Sequence, residues 1–238
     1  MRVLVTGGSG GIGAATVRHL RAHGHEVTFT YCRHESQADE VRHATAATAL
    51  HYDQAAVDSV AALAALLREQ PFDGLVNNAA RPSPRRLLLK TDPEELVGYQ
   101  AEALRGVLAL STAFATQIKQ RGTSGAIVNV LSSVTLGVPP AKQAAYVSTK
   151  YALLGLTRSM AVEFIRYGVR VNAVAPAMTD TAFNADLPER FVEELAAGLP
   201  MGRLASAAEV AGTIGFLLSP EASYITGANI PVAGGQAC

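Results

Sequence analysis

The chain opens on a short apolar strand, Arg2-Val3-Leu4-Val5, which runs directly into Thr6-Gly7-Gly8-Ser9-Gly10-Gly11-Ile12-Gly13 and then into a helical pattern from Ala14 to Ala22. A strand, a glycine-rich turn and a helix in that order build a phosphate site. Glycines let the backbone turn sharply and approach the ligand, and the first N–H groups of the helix face the anion. In isolation such a turn is also just a tight turn; directly after a buried strand it points to a dinucleotide site. The remainder of the chain alternates in the same way. Apolar runs at 2–6, 26–31, 47–51, 74–77, 126–131, 169–175 and 228–232 predict strands. Between them, helical spacing is clearest over 11–22, 55–69, 93–121, 143–167 and 207–218. Alternation of this kind predicts one α/β domain over 1–238, a Rossmann-type doubly wound parallel sheet with helices on both faces. Ligands of such sheets bind beyond the carboxyl ends of the strands.

Composition fits that architecture and excludes others. With 49% apolar and 17% charged residues over 238 positions, the chain has the make-up of a folded domain with a sizeable core. Twenty basic residues balance twenty acidic ones, which argues against a general nucleic-acid or membrane-surface role. Cys32 and Cys238 make neither a disulfide framework nor a metal-ligand spacing, so no metal is expected. Met1 is followed almost at once by the first strand, leaving no room for a signal peptide; a cytoplasmic protein is the expectation.

The second informative feature is Tyr146-Val147-Ser148-Thr149-Lys150, with Ser133 thirteen residues before the tyrosine. A helix places Tyr146 and Lys150 on one face. A phenol titrates near pH 10, too high for work at neutrality, and a nearby ammonium favours the phenolate. A serine hydroxyl arriving from a strand end would hydrogen-bond a substrate oxygen beside the phenol. Together these groups suit the movement of a proton on and off a carbonyl oxygen.

Both motifs, in this order and separation, resemble the short-chain dehydrogenase/reductase family, and the resemblance covers essentially the whole chain. Thr6, Gly7, Gly11 and Gly13 match its cofactor turn, which also contains Ser9 and Ile12. Asn77-Asn78-Ala79-Ala80 is similar to its NNAG segment, and Ser133, Tyr146 and Lys150 match its catalytic residues. Asn172 to Pro176, Ile225-Thr226-Gly227 and Gly234-Gly235 match its later patterns. Within the family the look is nearest to bacterial 3-oxoacyl-carrier-protein reductases.

The resemblance implies hydride exchange between a nicotinamide and a carbonyl or secondary alcohol. Tyr146 would be the proton donor, Lys150 would lower its pKa, and Ser133, with Ser132 as competitor, would hold the carbonyl. Thr6, Gly7, Ser9, Gly11, Ile12, Gly13, Asn78, Ala79, Tyr146, Lys150 and Pro176 would bind the cofactor. Asp53 is either an adenine contact or a loop aspartate capping a helix. Thr181 is either a cofactor contact or a turn threonine. No carboxylate ends the second strand, and Arg33 stands where a 2′-phosphate would lie, so NADP(H) is expected over NAD(H); the alternative is a solvated arginine.

One departure concerns the chemistry. Where relatives carry an asparagine in the long helix that helps to hold a water, this chain has Ala103. Neighbouring Glu102 is rotated by roughly 100° and is a doubtful substitute. A lid over 178–200, with Phe183, Leu187, Phe191, Val192 and Leu195, suits an acyl substrate or packs on the body. Arg81, Arg85 and Arg86, with Lys119, Arg121 and Arg166 as outliers, suggest a basic rim for an anion or an acidic carrier protein. A homotetramer or homodimer through helices 93–121 and 143–167 is expected. The substrate would be a 3-oxoacyl thioester or related β-keto compound, free or carrier-bound. The alternatives are a small secondary alcohol, sugar or polyketide-like intermediate and, in another class, a nucleotide-binding sensor.

Overall fold

Seven parallel strands form one sheet in the computed structural model, which describes residues 1–181 and 189–236. The strands are β1 (Arg2–Val5), β2 (Glu26–Tyr31), β3 (Thr48–His51), β4 (Gly74–Asn77), β5 (Gly125–Val130), β6 (Val169–Pro176) and β7 (Asn229–Val232). Their order is β3-β2-β1-β4-β5-β6-β7, so the direction of winding reverses between β1 and β4. That reversal opens the crevice in which a ligand lies in this architecture.

Side chains alternate across the strands and feed two cores. Leu4, Leu75, Ile127 and Val171 face α3 (Val57–Glu69), α4 (Pro93–Arg121) and α5 (Ala144–Phe164), meeting Leu67, Phe114 and Met160. Val5, Val76, Val128 and Val174 face α1 (Gly11–Ala22), α2 (Glu35–Thr45) and α7 (Ala207–Leu218), meeting Val17, Val41 and Ile214. Covered on both faces, the central strands are mostly apolar instead of alternating with polar residues, the asparagines Asn77, Asn129 and Asn172 being the buried exceptions. Pro231 is accommodated because β7 is an edge strand.

Helix ends follow from local chemistry. Asp92 caps α4 by accepting from the Glu94 N–H at 3.1 Å, and Pro93 begins the helix. Ser206 and Glu209 form a reciprocal capping box on α7. Helix α2 was not among the clearest helical segments because only Ala38 and Val41 are buried, too thin a stripe to stand out. The segment 178–200 expected as a lid contains α6 (Glu189–Gly198), on which Val192 and Leu195 are half-buried. Phe183, Leu187 and the Phe191 side chain lie outside the described residues, as does Cys238.

Candidate active site

The glycine-rich turn is clamped to the end of β4. Thr6 Oγ1 accepts from the backbone N–H groups of Asn78 and Ala79, each at 3.0 Å. In return, Asn78 Nδ2 donates to the carbonyls of Thr6 (2.9 Å) and Gly7 (3.0 Å). Thr30, on β2, holds the other side by accepting from Gly7 N and Gly8 N. Gly11 has φ +52°, and a Cβ on Gly13 would fall 2.1 Å from the Gly7 carbonyl oxygen. The turn is therefore packed so closely against α1 that only glycine fits at position 13. Helix α1 has no side-chain cap and no acidic residue in its first turn. Its leading N–H groups thus suit a bound anion such as a pyrophosphate.

Of the other expected cofactor positions, Thr181 is the one in contact with this turn. Thr181, from the segment after β6, lies against Gly11, its side chain 3.3 Å from where a Cβ would stand. Arg33 is exposed after β2 and hydrogen-bonds Cys32. Asp53 accepts from Ala55 N at 2.9 Å within the loop before α3; it does not cap that helix, whose N-cap is Ala56 with no side-chain cap. Pro176 ends β6, at the carboxyl edge.

Tyr146 and Lys150 share the inner face of α5. Lys150 Nζ stands 5.5 Å from the centre of the Tyr146 ring and donates to the Val130 carbonyl at 2.8 Å. Lys150 is enclosed, and the loss of hydration pushes its pKa down to about 8. Tyr146 moves the opposite way. Burial raises its pKa, and a hydrogen bond with Ser132 only works against that rise. The expected lowering of the phenol by Lys150 is thus not what dominates here, because burial strips water from both groups and disfavours both charged forms. The serine that meets the phenol is also Ser132. Its side chain caps the short helical turn Ser133–Thr135, while Ser133 begins that turn and is partly exposed.

Below these groups lies a polar network that sequence reasoning missed. Asn77 donates to Asn129 Oδ1 (2.8 Å) and Ser111 Oγ (3.1 Å), and Asn129 donates to Thr157 Oγ1 (2.8 Å). It ties β4, β5, α4 and α5 together beside the pocket that Lys150 lines. The one available signal was an asparagine at the end of two apolar strands, at paired register positions.

The expected basic rim is not a free cationic surface. Arg81 pairs with Glu102 at 2.7 Å and Arg86 with Glu95 at 2.6 Å. Lys119 and Arg166 lie on the Tyr167 ring, and Arg121 pairs with Asp73. Asp73 and Tyr167 precede β4 and β6, so these three belong to the amino edge of the sheet, opposite the site. Among the described residues no cluster suits a metal ion, and no helix is long and apolar enough to cross a membrane.

A family model described as Enoyl-(Acyl carrier protein) reductase matches residues 7–237. The chain is 35% identical over 241 residues to the 3-oxoacyl-acyl-carrier-protein reductase FabG of Staphylococcus aureus, covering 98% of this chain and 96% of that one. The chain belongs to the short-chain dehydrogenase/reductase family. It is also 39% identical over 239 residues to the cis-4-hydroxycyclohexanecarboxylate dehydrogenase of Sinomonas cyclohexanicum, covering 98% and 94% of the two chains. Among solved structures, levodione reductase superposes with a TM-score of 0.90 at 28% identity, covering 99% and 97%. As a member of this family the protein is an NAD(P)-dependent oxidoreductase acting on carbonyl or alcohol groups.

Proposed function

We propose that the protein is an NADP(H)-preferring carbonyl reductase whose substrate is a 3-oxoacyl thioester or related β-keto compound. The observation that carries this reading is the enclosed Lys150 beside the Tyr146 ring, at the carboxyl edge of the sheet. The bound nicotinamide cofactor would supply the hydride. Thr6, Gly7, Ser9, Gly11, Ile12, Gly13, Asn78, Ala79, Pro176 and Thr181 would hold it, with Asp53 near the adenine and Arg33 at the 2′-phosphate. Tyr146 and Lys150 would line its nicotinamide end. The close-packed glycine turn and the uncapped start of α1 fit such a ligand.

The chain's own groups do the proton work. Ser133 donates to the carbonyl oxygen and shares its developing charge. Tyr146 gives its proton to that oxygen as the alkoxide forms, and Ser132 orients the phenol. Burial keeps Tyr146 protonated, the form a reduction requires. Homologues named as a 3-oxoacyl reductase and as acetoacetyl-CoA reductases support the substrate class. Exposed apolar side chains, Leu108 on α4 and Val162 on α5, support a homotetramer or homodimer built through those helices.

The test is oxidation of NADPH and NADH at 340 nm with a short 3-oxoacyl thioester, wild type against Tyr146→Phe. Turnover that prefers NADPH and is lost in the variant is the expected result. Turnover surviving in the variant would remove Tyr146 from the proton step.

A second reading is favoured by the pairing of Arg81 and Arg86 with glutamates, which leaves neither free for a carrier protein. Together with the cyclohexanecarboxylate dehydrogenase relative, it points to a small secondary alcohol or its ketone as substrate. Faster turnover of a free cyclic ketone than of the thioester would favour it.

A further inference from the structure

Ser132 and Ser133 enter one short helical turn, Ser133–Thr135, shortly after β5. Ser132 is extended, and its carbonyl accepts twice from Thr135: from the backbone N–H at 3.1 Å and from the hydroxyl at 2.8 Å. That carbonyl belongs to the same peptide group as the Ser133 N–H, and a peptide group is planar. Fixing it therefore fixes the direction in which both serine side chains leave the backbone. Thr135, which does the holding, is buried.

Thr135 is in turn held from the edge of the sheet. Asn229, on β7, donates from Nδ2 to Thr135 Oγ1 at 3.1 Å. Strand β6 lies between β7 and β5, so this bond spans one strand and joins residues 94 apart in the chain. A hydroxyl has a single proton to donate. With Asn229 supplying the donor at Oγ1, that proton is left for the Ser132 carbonyl. The other end of the same amide, Asn229 Oδ1, is buried and has no partner among the described residues. A buried acceptor without a partner costs stability, so stability alone does not account for the pair. Orientation of the turn is what it supplies.

We propose that Thr135 and Asn229 are positioning residues: through the Ser132 carbonyl they hold Ser132 on the Tyr146 phenol and aim Ser133 at the substrate oxygen. The proposal rests on the reading that Tyr146 is the acid of the reaction. Neither residue touches the reacting atoms, and neither a proton nor an electron passes through the pair. The edge strand β7 thereby becomes the backstop of a turn that belongs to β5. Because both serines hang from one peptide group, loosening that group should disturb both at once. Ser132 reports the disturbance through the titration of the phenol, and Ser133 through the rate.

Thr135→Val keeps the shape and removes the hydroxyl, and Asn229→Leu removes the amide. Each should lower kcat by about 10-fold or more at unchanged NADPH affinity, because the turn is misaimed. Each should also move the alkaline limb of the reduction rate upwards, as losing the Ser132 hydrogen bond does. Thr135→Val combined with Ser132→Ala should move that limb no further than Ser132→Ala alone. Thr135→Ser keeps the hydroxyl and should keep both the wild-type limb and the wild-type rate. The combined Thr135→Val/Asn229→Leu variant removes both partners, so it should melt no lower than wild type and yet stay slow. A merely structural role would lower the Tm of this variant and leave the limb in place. That result, or a wild-type kcat in Thr135→Val, overturns the proposal. A second readout needs neither cofactor nor substrate. In protein carrying 13Cζ-tyrosine, the Tyr146 signal, identified by its absence from Tyr146→Phe, reports hydrogen bonding at the phenol oxygen. It should shift in Thr135→Val in the same direction as in Ser132→Ala, and no shift would refute the bridge. If no carbonyl is turned over at all, the functional reading fails, while this signal still decides whether Thr135 positions Ser132.

Discussion

Thr6 and Asn78 hold each other reciprocally: the Thr6 hydroxyl accepts from the Asn78 backbone N–H, and the Asn78 side chain donates to the Thr6 carbonyl. One residue follows β1 and the other follows β4, the two strands between which the winding of the sheet reverses. The clamp thus fixes the floor of the crevice and, through the bond from Asn78 to the Gly7 carbonyl, the shape of the glycine turn.

Asn78→Ala removes both side-chain donors from that clamp. The expected loss is about 1–2 kcal/mol of stability, together with weaker dinucleotide binding, as the turn is freed. Calorimetric titration with the dinucleotide and thermal unfolding check the two effects together. Full affinity in the variant would show that the turn holds its shape without Asn78.

Lys150→Met should abolish turnover and yet stabilise the fold. Burial moves the amine from its ordinary 10.5 to about 8, so below pH 8 the wild type bears the full cost of an enclosed ammonium. At about 1.4 kcal/mol per unit that cost is roughly 3 kcal/mol, partly offset in the variant by the Val130 carbonyl left without its donor. The sign against pH follows. Between pH 8 and 10.5 the unfolded chain holds the proton that the folded chain has released, so this group makes wild-type stability rise with pH. Denaturant unfolding at pH 7 and pH 9.5 should show the variant's advantage shrinking as pH rises. An advantage independent of pH would contradict the burial of the charge.

Ser132→Ala removes a hydrogen bond that lowers the Tyr146 pKa. Its phenol should titrate higher still, displacing the alkaline limb of the reduction rate upwards. Ser133→Ala should instead lower kcat without moving that limb, because its partner is the substrate oxygen. Paired pH–rate profiles distinguish the two serines, and the reverse pattern would exchange their roles.

Arg33→Ala should weaken NADPH far more than NADH, by about 10-fold or more if the guanidinium meets the 2′-phosphate. Equal losses for both cofactors, measured by calorimetry, would mean that Arg33 is a solvated arginine hydrogen-bonded to Cys32.

Local patterns carried much of this molecule. The strand runs, the glycine turn and the ends of α1, α3, α4 and α7 were legible to within about two residues, because a sheet covered on both faces requires continuous apolar strands and helices with a clear buried stripe. Helix α2 was harder to see for the converse reason: it buries little. The pairing of Arg81 and Arg86 with glutamates could not be read, since their partners lie 21 and 9 residues away and surface charges have no periodicity.

The sequence by itself determined the alternation of strands and helices, the glycine-rich turn and the placing of Tyr146 and Lys150 on one helix face, because each depends on residue type at short spacing. Only the tertiary structure decided their electrostatics. How far Lys150 is stripped of water, which serine meets Tyr146, and whether Asn229 reaches Thr135 depend on elements converging from distant parts of the chain. Desolvation is a property of that enclosure, and no spacing within the chain encodes it.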